Sequence, residues 1–227
     1  MKLFVGLGNP GSKYAGNRHN VGFMALGQIG ADHGVLNWKS KFQGEIANVT
    51  LDGEKVLLLK PNTFMNLSGQ SVGEAMRFHK INPKDVYVFH DELDLKPGKM
   101  RVKFGGGHAG HNGLRSIHQH IGADYHRIRI GIGHPGHKDK VAGYVLQDFA
   151  KSEMDWVEDI VAGIGRACPF LATGEHDKFM TYATLQTPSP KGRSSMFEPK
   201  PSAKPLKSPE QEPDTRSALQ KLVDKFK

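Results

Sequence analysis

Apolar residues along the chain follow two periods. Short runs that alternate with polar residues, or are apolar throughout, fall at 2–7, 45–51, 54–60, 85–90, 100–104 and 126–132, and they predict strands. Longer stretches in which apolar positions return every three or four residues fall at 20–33, 69–80, 113–121, 151–167 and 176–185, and they predict helices. Gly34 is placed to stop the first helix and Ser68 to cap the second. Asp52-Gly53 separates two strands and signals a tight hairpin, because both central residues of that turn need positive φ. Strands that alternate with helices but include a hairpin predict an α/β fold: one domain over residues 1–186, with a twisted mixed β-sheet flanked by helices.

The pattern stops at about residue 187. Seven of the thirteen prolines lie in the last 41 residues. Residues 187–213 cannot bury enough apolar surface to offset their ordering entropy and read as a Pro-rich disordered linker. In 214–227, Leu219, Leu222, Val223 and Phe226 recur at helical spacing behind Asp214 or Thr215, which predicts a short amphipathic helix. Half of the net charge of +8 belongs to this tail, so the folded part is only mildly basic. That fits a polyanionic partner without requiring one. No apolar run approaches the roughly 20 residues of a membrane span, and the N-terminus lacks the pattern of a signal peptide. The single cysteine, Cys168, allows no internal disulfide, fits a reducing cytoplasm and reads as a buried structural thiol.

The first candidate for chemistry is GLGNPG at 6–11. Gly6, Gly8 and Gly11 match the spacing of a dinucleotide-binding loop. Such a loop needs a helix that starts within the motif, so that its N-terminus faces a pyrophosphate. Here Pro10 lacks an N–H, SKYAGNRHN follows, and no apolar helical face begins before about residue 20. The loop reads instead as a device that brings Asn9 and the run Arg18-His19-Asn20 to the C-terminal end of a strand.

Three more polar clusters lie at similar junctions: KPNTFMNLSG (60–69), HDELDL (90–95) and FGGGHAGHNGL (104–114). They supply Asn66, Asp91, His111 and Asn112. One His, one Asp and several Asn suit hydrolysis by an activated water. The His takes the proton, the Asp fixes its tautomer, and amides hold a carbonyl and its oxyanion. The same residues are compatible with solvated turns, since Asn and Asp favour turn geometry. His108, His111, His118 and His120 bring zinc into consideration, although no H-E-x-x-H or C-x-x-C is present. No serine lies in a G-x-S-x-G elbow.

Taken together, GLGNPG, YAGNRHNVG, KPNTFMNLSG, HDELDL, GGGHAGHNGLRSI and RIRIGIGHP resemble, in order, the motifs of the bacterial peptidyl-tRNA hydrolases. The resemblance covers about residues 1–186. It implies a monomeric cytoplasmic enzyme of translation that cleaves the ester between a peptide and the 3′ end of tRNA, with no cofactor or metal and no DNA or membrane partner. By position it implies His19 as general base and Asp91 as the carboxylate that stabilises it. Asn9 resembles the residue that distinguishes N-blocked from free aminoacyl-tRNA. Tyr14, Phe64, Asn66 and Asn112 match positions that contact the tRNA 3′ end or the peptide, Met65 and His111 line the same site, and Lys103 and Arg129 match positions that hold the acceptor stem. Asn17 departs from the family's usual threonine, and the tail is an addition that many members lack. A non-catalytic RNA-binding module and a metal-dependent hydrolase are the competing readings.

Overall fold

The computed structural model describes residues 1–185; the linker and terminal helix expected at 187–213 and 214–227 lie outside the described residues. Seven strands form one sheet: β1 (Lys2–Gly6), β2 (Lys39–Lys41), β3 (Gly44–Leu51), β4 (Glu54–Pro61), β5 (Val86–Glu92), β6 (Met100–Phe104) and β7 (His126–Gly131). Their order is β2-β3-β4-β1-β5-β7-β6. The central four, β4, β1, β5 and β7, are parallel. The outer pairings of β2 with β3, β3 with β4 and β6 with β7 are antiparallel. This is the expected mixed sheet, and its helices are α1 (Val21–Asp32), α2 (Ser68–His79), α3 (Asn112–Ile121), α4 (Val141–Val145), α5 (Met154–Ala172) and α6 (His176–Thr184).

Successive strand residues point to opposite faces, which sorts the apolar residues into two cores. Phe4, Tyr87 and Phe89 pack with Ala25 and Ile29 of α1 and Ile160 and Ile164 of α5. Leu3, Val5 and Val88 pack on the other face with Val72 and Ala75 of α2 and Leu114 and Ile117 of α3. Both faces are covered, which explains the unbroken apolar runs in β1 and β5. Each fully buried Leu or Phe contributes about 1.5–3 kcal/mol. The Asp52-Gly53 turn has φ of 47° and 82°, as its residue types require.

Four features differ from the sequence expectation. The short strand β2 and the five-residue helix α4 were not expected; all three residues of β2 are exposed and leave no alternation to detect. Ser68 does not cap α2. It is the helix's first residue, and its Oγ donates to the Met65 carbonyl at 2.9 Å. The neighbouring Gly69 N–H is met by Ser116 Oγ of α3, also at 2.9 Å. Finally, α5 runs through Pro169, five residues past its expected end. Pro169 cannot donate to the Gly165 carbonyl, which would ordinarily disfavour a helix interior. That carbonyl instead has His33 Nε2 at 3.1 Å and Cys168 Sγ at 3.2 Å. Burial, with Asp32 nearby, keeps the Cys168 thiol protonated far above its usual range, as befits a structural thiol.

Of the opening glycines, Gly6 serves backbone contact. A Cβ on Gly6 would lie 2.3 Å from the Gly22 carbonyl oxygen, and one on Gly22 would lie 2.3 Å from the Phe89 oxygen. The end of β1, the start of α1 and the middle of β5 therefore meet at van der Waals distance. Since α1 begins only at Val21, no helix N-terminus opens within GLGNPG.

Candidate active site

The segment after β1 curls through a 3-10 turn, Arg18–Asn20, before α1 starts. This turn holds His19 over the C-terminal end of β5, where Asp91 is the penultimate residue. His19 Nδ1 lies 2.8 and 2.9 Å from the two Asp91 carboxylate oxygens. His19 and Asp91 are 8% and 4% exposed, so little water competes for the contact. Burial by itself would lower the His19 pKa; the charge of Asp91 and the hydrogen bond to it outweigh that, and the net shift is upward. Burial would raise the Asp91 pKa, but the adjacent His19 and His111 hold it well below the usual carboxylate range. With Nδ1–H donated to Asp91, His19 keeps its Nε2 lone pair for chemistry.

His111 stands on the other side of Asp91, with its Nε2 3.0 Å from Oδ1. The imidazole rings of His19 and His111 are 4.8 Å apart. His111 is also the N-cap of α3, and its Nδ1 accepts from the Gly113 and Leu114 amides at 3.1 and 3.3 Å.

Asn9 follows β1 and faces the same end of the sheet. Its Oδ1 accepts the Met65 N–H at 2.9 Å. This fixes the amide orientation and leaves Nδ2 with no hydrogen bond among the described residues. Asn20 grips the Asn9 main chain twice, accepting its N–H and donating to its carbonyl, each at 2.9 Å. The positioning role of Asn20 was not legible from sequence, because its partner is a main chain eleven residues earlier.

The turn that bears His19 is stitched to residues 144–153. Arg18 donates to the Asp148 carbonyl at 2.9 Å, pairs with Glu153 at 2.5 Å and lies over the Tyr144 ring at 4.4 Å. Asn17, the departure from the family pattern, donates to Asp148 Oδ1 at 2.6 Å.

A cavity of about 690 Å³ adjoins the pair. His19, Asp91, His111 and Asn112 line one side, Lys103, Arg127, Arg129 and Lys138 give it positive walls, and Val141, Ala142 and Val145 form an apolar wall on α4. One N–H of Arg129 is engaged by Glu92 at 2.7 Å. Arg127 is buried and donates to the Gly106 and Gly107 carbonyls, which ties down the glycine-rich loop. The structure thus brings together His19, Asp91, His111, Asn112, Lys103 and Arg129, with Asn9 and Met65 joined to each other beside them. Tyr14, Phe64 and Asn66 do not line the cavity. Phe64 is 58% exposed, and Lys13 Nζ sits over the Tyr14 ring at 4.7 Å.

His19, Asp91 and His111 are the one trio of potential metal ligands among the described residues. Their N–O separations of 2.8 and 3.0 Å are hydrogen-bond lengths. Two ligands of a tetrahedral zinc stand about 3.3 Å apart, given bonds of about 2.0–2.1 Å. Each histidine is already placed to direct an N–H at the carboxylate. The trio reads as a hydrogen-bonded unit.

Comparison with known proteins gives the family. The family model described as peptidyl-tRNA hydrolase matches residues 3–191. A peptidyl-tRNA hydrolase of Dinoroseobacter shibae is 62% identical over 237 residues, covering 100% of both chains. One from Cereibacter sphaeroides is 61% identical over 227 residues, again covering 100% of both. Among solved structures, the peptidyl-tRNA hydrolase of Acinetobacter baumannii matches with a TM-score of 0.77 and 42% identity, over 83% of this chain and 97% of that one.

Proposed function

Because the chain belongs to the peptidyl-tRNA hydrolase family and hydrolyses peptidyl-tRNA, we propose that His19 is the general base of that reaction and Asp91 the group that orients it and stabilises its protonated form. The observation that carries this reading is the commitment of His19 Nδ1 to both oxygens of a buried carboxylate. Nε2 takes a proton from water, and the hydroxide attacks the ester carbonyl carbon. Asn9 Nδ2, held ready by Met65 and Asn20, donates to the oxyanion. Collapse of the tetrahedral intermediate breaks the bond to the terminal ribose oxygen, which takes the proton back from His19. The products are a peptide carboxylic acid, which ionises by releasing its proton to solvent, and a tRNA with a free 3′ hydroxyl. An ester is already activated, so a base, an oriented water and amide donors suffice without a cofactor or metal.

In this reading Lys103 and Arg129 meet acceptor-stem phosphates, contacts that carry no sequence information and so suit an enzyme that accepts every tRNA. Tyr14 and Phe64 offer aromatic faces for an unstacked terminal base. Asn66 and Asn112 supply polar contacts to the 3′ end or peptide, and Met65 lines that site. No helix among the described residues is long and apolar enough to cross a membrane. We place the enzyme in the cytoplasm, acting as a monomer.

The test is release of an N-blocked amino acid from tRNA, with and without EDTA. His19→Ala is expected to lose about 10²–10⁴-fold in kcat while tRNA binding persists. EDTA is expected to leave the wild type unaffected. Wild-type turnover in the variant would remove His19 as the base, and loss in EDTA with recovery on added zinc would install the metal reading.

A further inference from the structure

His111 does more than line the cavity. Its ring faces Asp91 and His90 on β5, His19 on the turn after β1, and the first amides of α3. Nδ1 receives two main-chain N–H groups, so it must carry a lone pair. A neutral ring then has its only proton on Nε2, and Nε2 lies 3.0 Å from Asp91 Oδ1. The helix amides and the carboxylate favour the same tautomer. Oδ1 is shared between the two histidines, while among the described residues Oδ2 bonds to His19 alone. His90 adds no charge here: its Nδ1 bonds to the Asp91 main-chain oxygen at 2.8 Å, and burial pushes its pKa down to about 3.

We propose that His111 is a positioning residue that locks Asp91 from behind and draws part of its charge toward the N-terminus of α3, so that His19 is oriented without becoming too basic to work near neutral pH. The physical reasons are two. A buried carboxylate with one donor is free to rotate about its last torsion, and a second donor on Oδ1 removes that freedom. The α3 amides polarise the imidazole, and hydrogen bonds in such a chain reinforce one another. A general base works best when its pKa lies near the operating pH. A carboxylate shared with His111 raises the His19 pKa less than an unshared one would.

This inference rests on the reading of His19 as the base, and two substitutions separate it from its alternatives. In His111→Asn the side-chain oxygen can still cap α3, because Asn is a favoured N-cap, but the chain is too short to reach Asp91. In His111→Gln the amide can reach Asp91 from the Nε2 position, but nothing remains at Nδ1 to take the helix amides. The measurements are the pH dependence of kcat on N-blocked aminoacyl-tRNA, the His19 titration followed by NMR in labelled protein, and Tm. His111→Asn is expected to raise the acid limb and the His19 titration by about half a pH unit, to cut kcat at pH 7 roughly three- to tenfold, and to keep Tm. His111→Gln is expected to keep the His19 titration and to lower Tm by about 2–4 °C, the effect of one lost cap in a domain of this size. If both variants only raise KM and leave the His19 titration in place, His111 is a substrate contact and the proposal fails. The NMR titration needs no turnover, so the proposal stands or falls on it even if His19→Ala retains activity and the base assignment is lost.

Discussion

At the C-terminal ends of the strands, His19 touches a buried carboxylate and its pKa is raised. At their N-terminal ends, His126 stacks on Tyr87 at 4.5 Å with His176 at 4.7 Å, and its pKa is pushed down to about 4. Burial disfavours the charged ring in both places. At His126 it is joined by the positive neighbours His176 and Lys2, and Asp85 opposes them only weakly. His126 Nδ1 and His176 Nε2 are buried without hydrogen-bond partners among the described residues. The difference is direct contact with a carboxylate. His90 makes the point within one strand: it adjoins Asp91 in sequence but bonds to its main chain, and it stays neutral. Of the three, only His19 has its proton affinity raised.

Removing the carboxylate is the strongest way to break this contrast. Asp91→Asn is expected to cut kcat about 10- to 100-fold, less than loss of the base itself, because water replaces part of the orienting role. It also removes what raises the His19 pKa, so the acid limb of kcat should move down from its wild-type position above 6.5. An acid limb that stays in place would show that Asp91 is not its source.

The other end of the sheet gives a smaller effect, seen in stability. The folded pKa of His126 lies below its unfolded value of about 6.5, so the unfolded chain takes up the proton first. Stability is therefore full above about 6.5 and declines as pH falls toward 4. His126→Gln is expected to flatten Tm between pH 7 and 4.5 by a few degrees, about 2–4 °C at most because the ring is partly exposed. Parallel melting curves for wild type and variant would contradict this. The smallest effect belongs to the rim: Lys103→Ala should weaken tRNA binding a few-fold and reduce the salt slope by about 1, with the His19 acid limb unmoved. An unchanged salt slope would take Lys103 out of the phosphate contacts.

Much of this architecture is local and was legible in the sequence. The Asp52-Gly53 hairpin is an example, since its φ values are a property of two residues. The His19–Asp91 pairing became legible through motifs that agree in order, although 72 residues separate the two. What stayed hidden depends on remote partners. Pro169 argues for a helix end until His33, from another helix cap, is seen beside the Gly165 carbonyl. Asn20 reads as one more polar loop residue until it is found clasping the Asn9 main chain. The cap of α3 was missed for a chemical reason: histidine lies outside the Ser, Thr, Asp and Asn set that marks helix starts.

The contact between Gly6 and Gly22 bears on how variation in this enzyme should be read. A side chain at either position, even a methyl group, would collide with main-chain oxygen that cannot swing aside. Both sites reject substitution as firmly as His19 would, though neither has an atom to offer the reaction. A survey of tolerated mutations would score the two glycines beside the base, and ranking by intolerance alone would count steric walls as chemistry. Stability assays on the same variants are expected to separate the groups: changes at the glycines should unfold the junction, whereas loss of the His19 ring, on the proposed role, should leave a folded protein with little turnover.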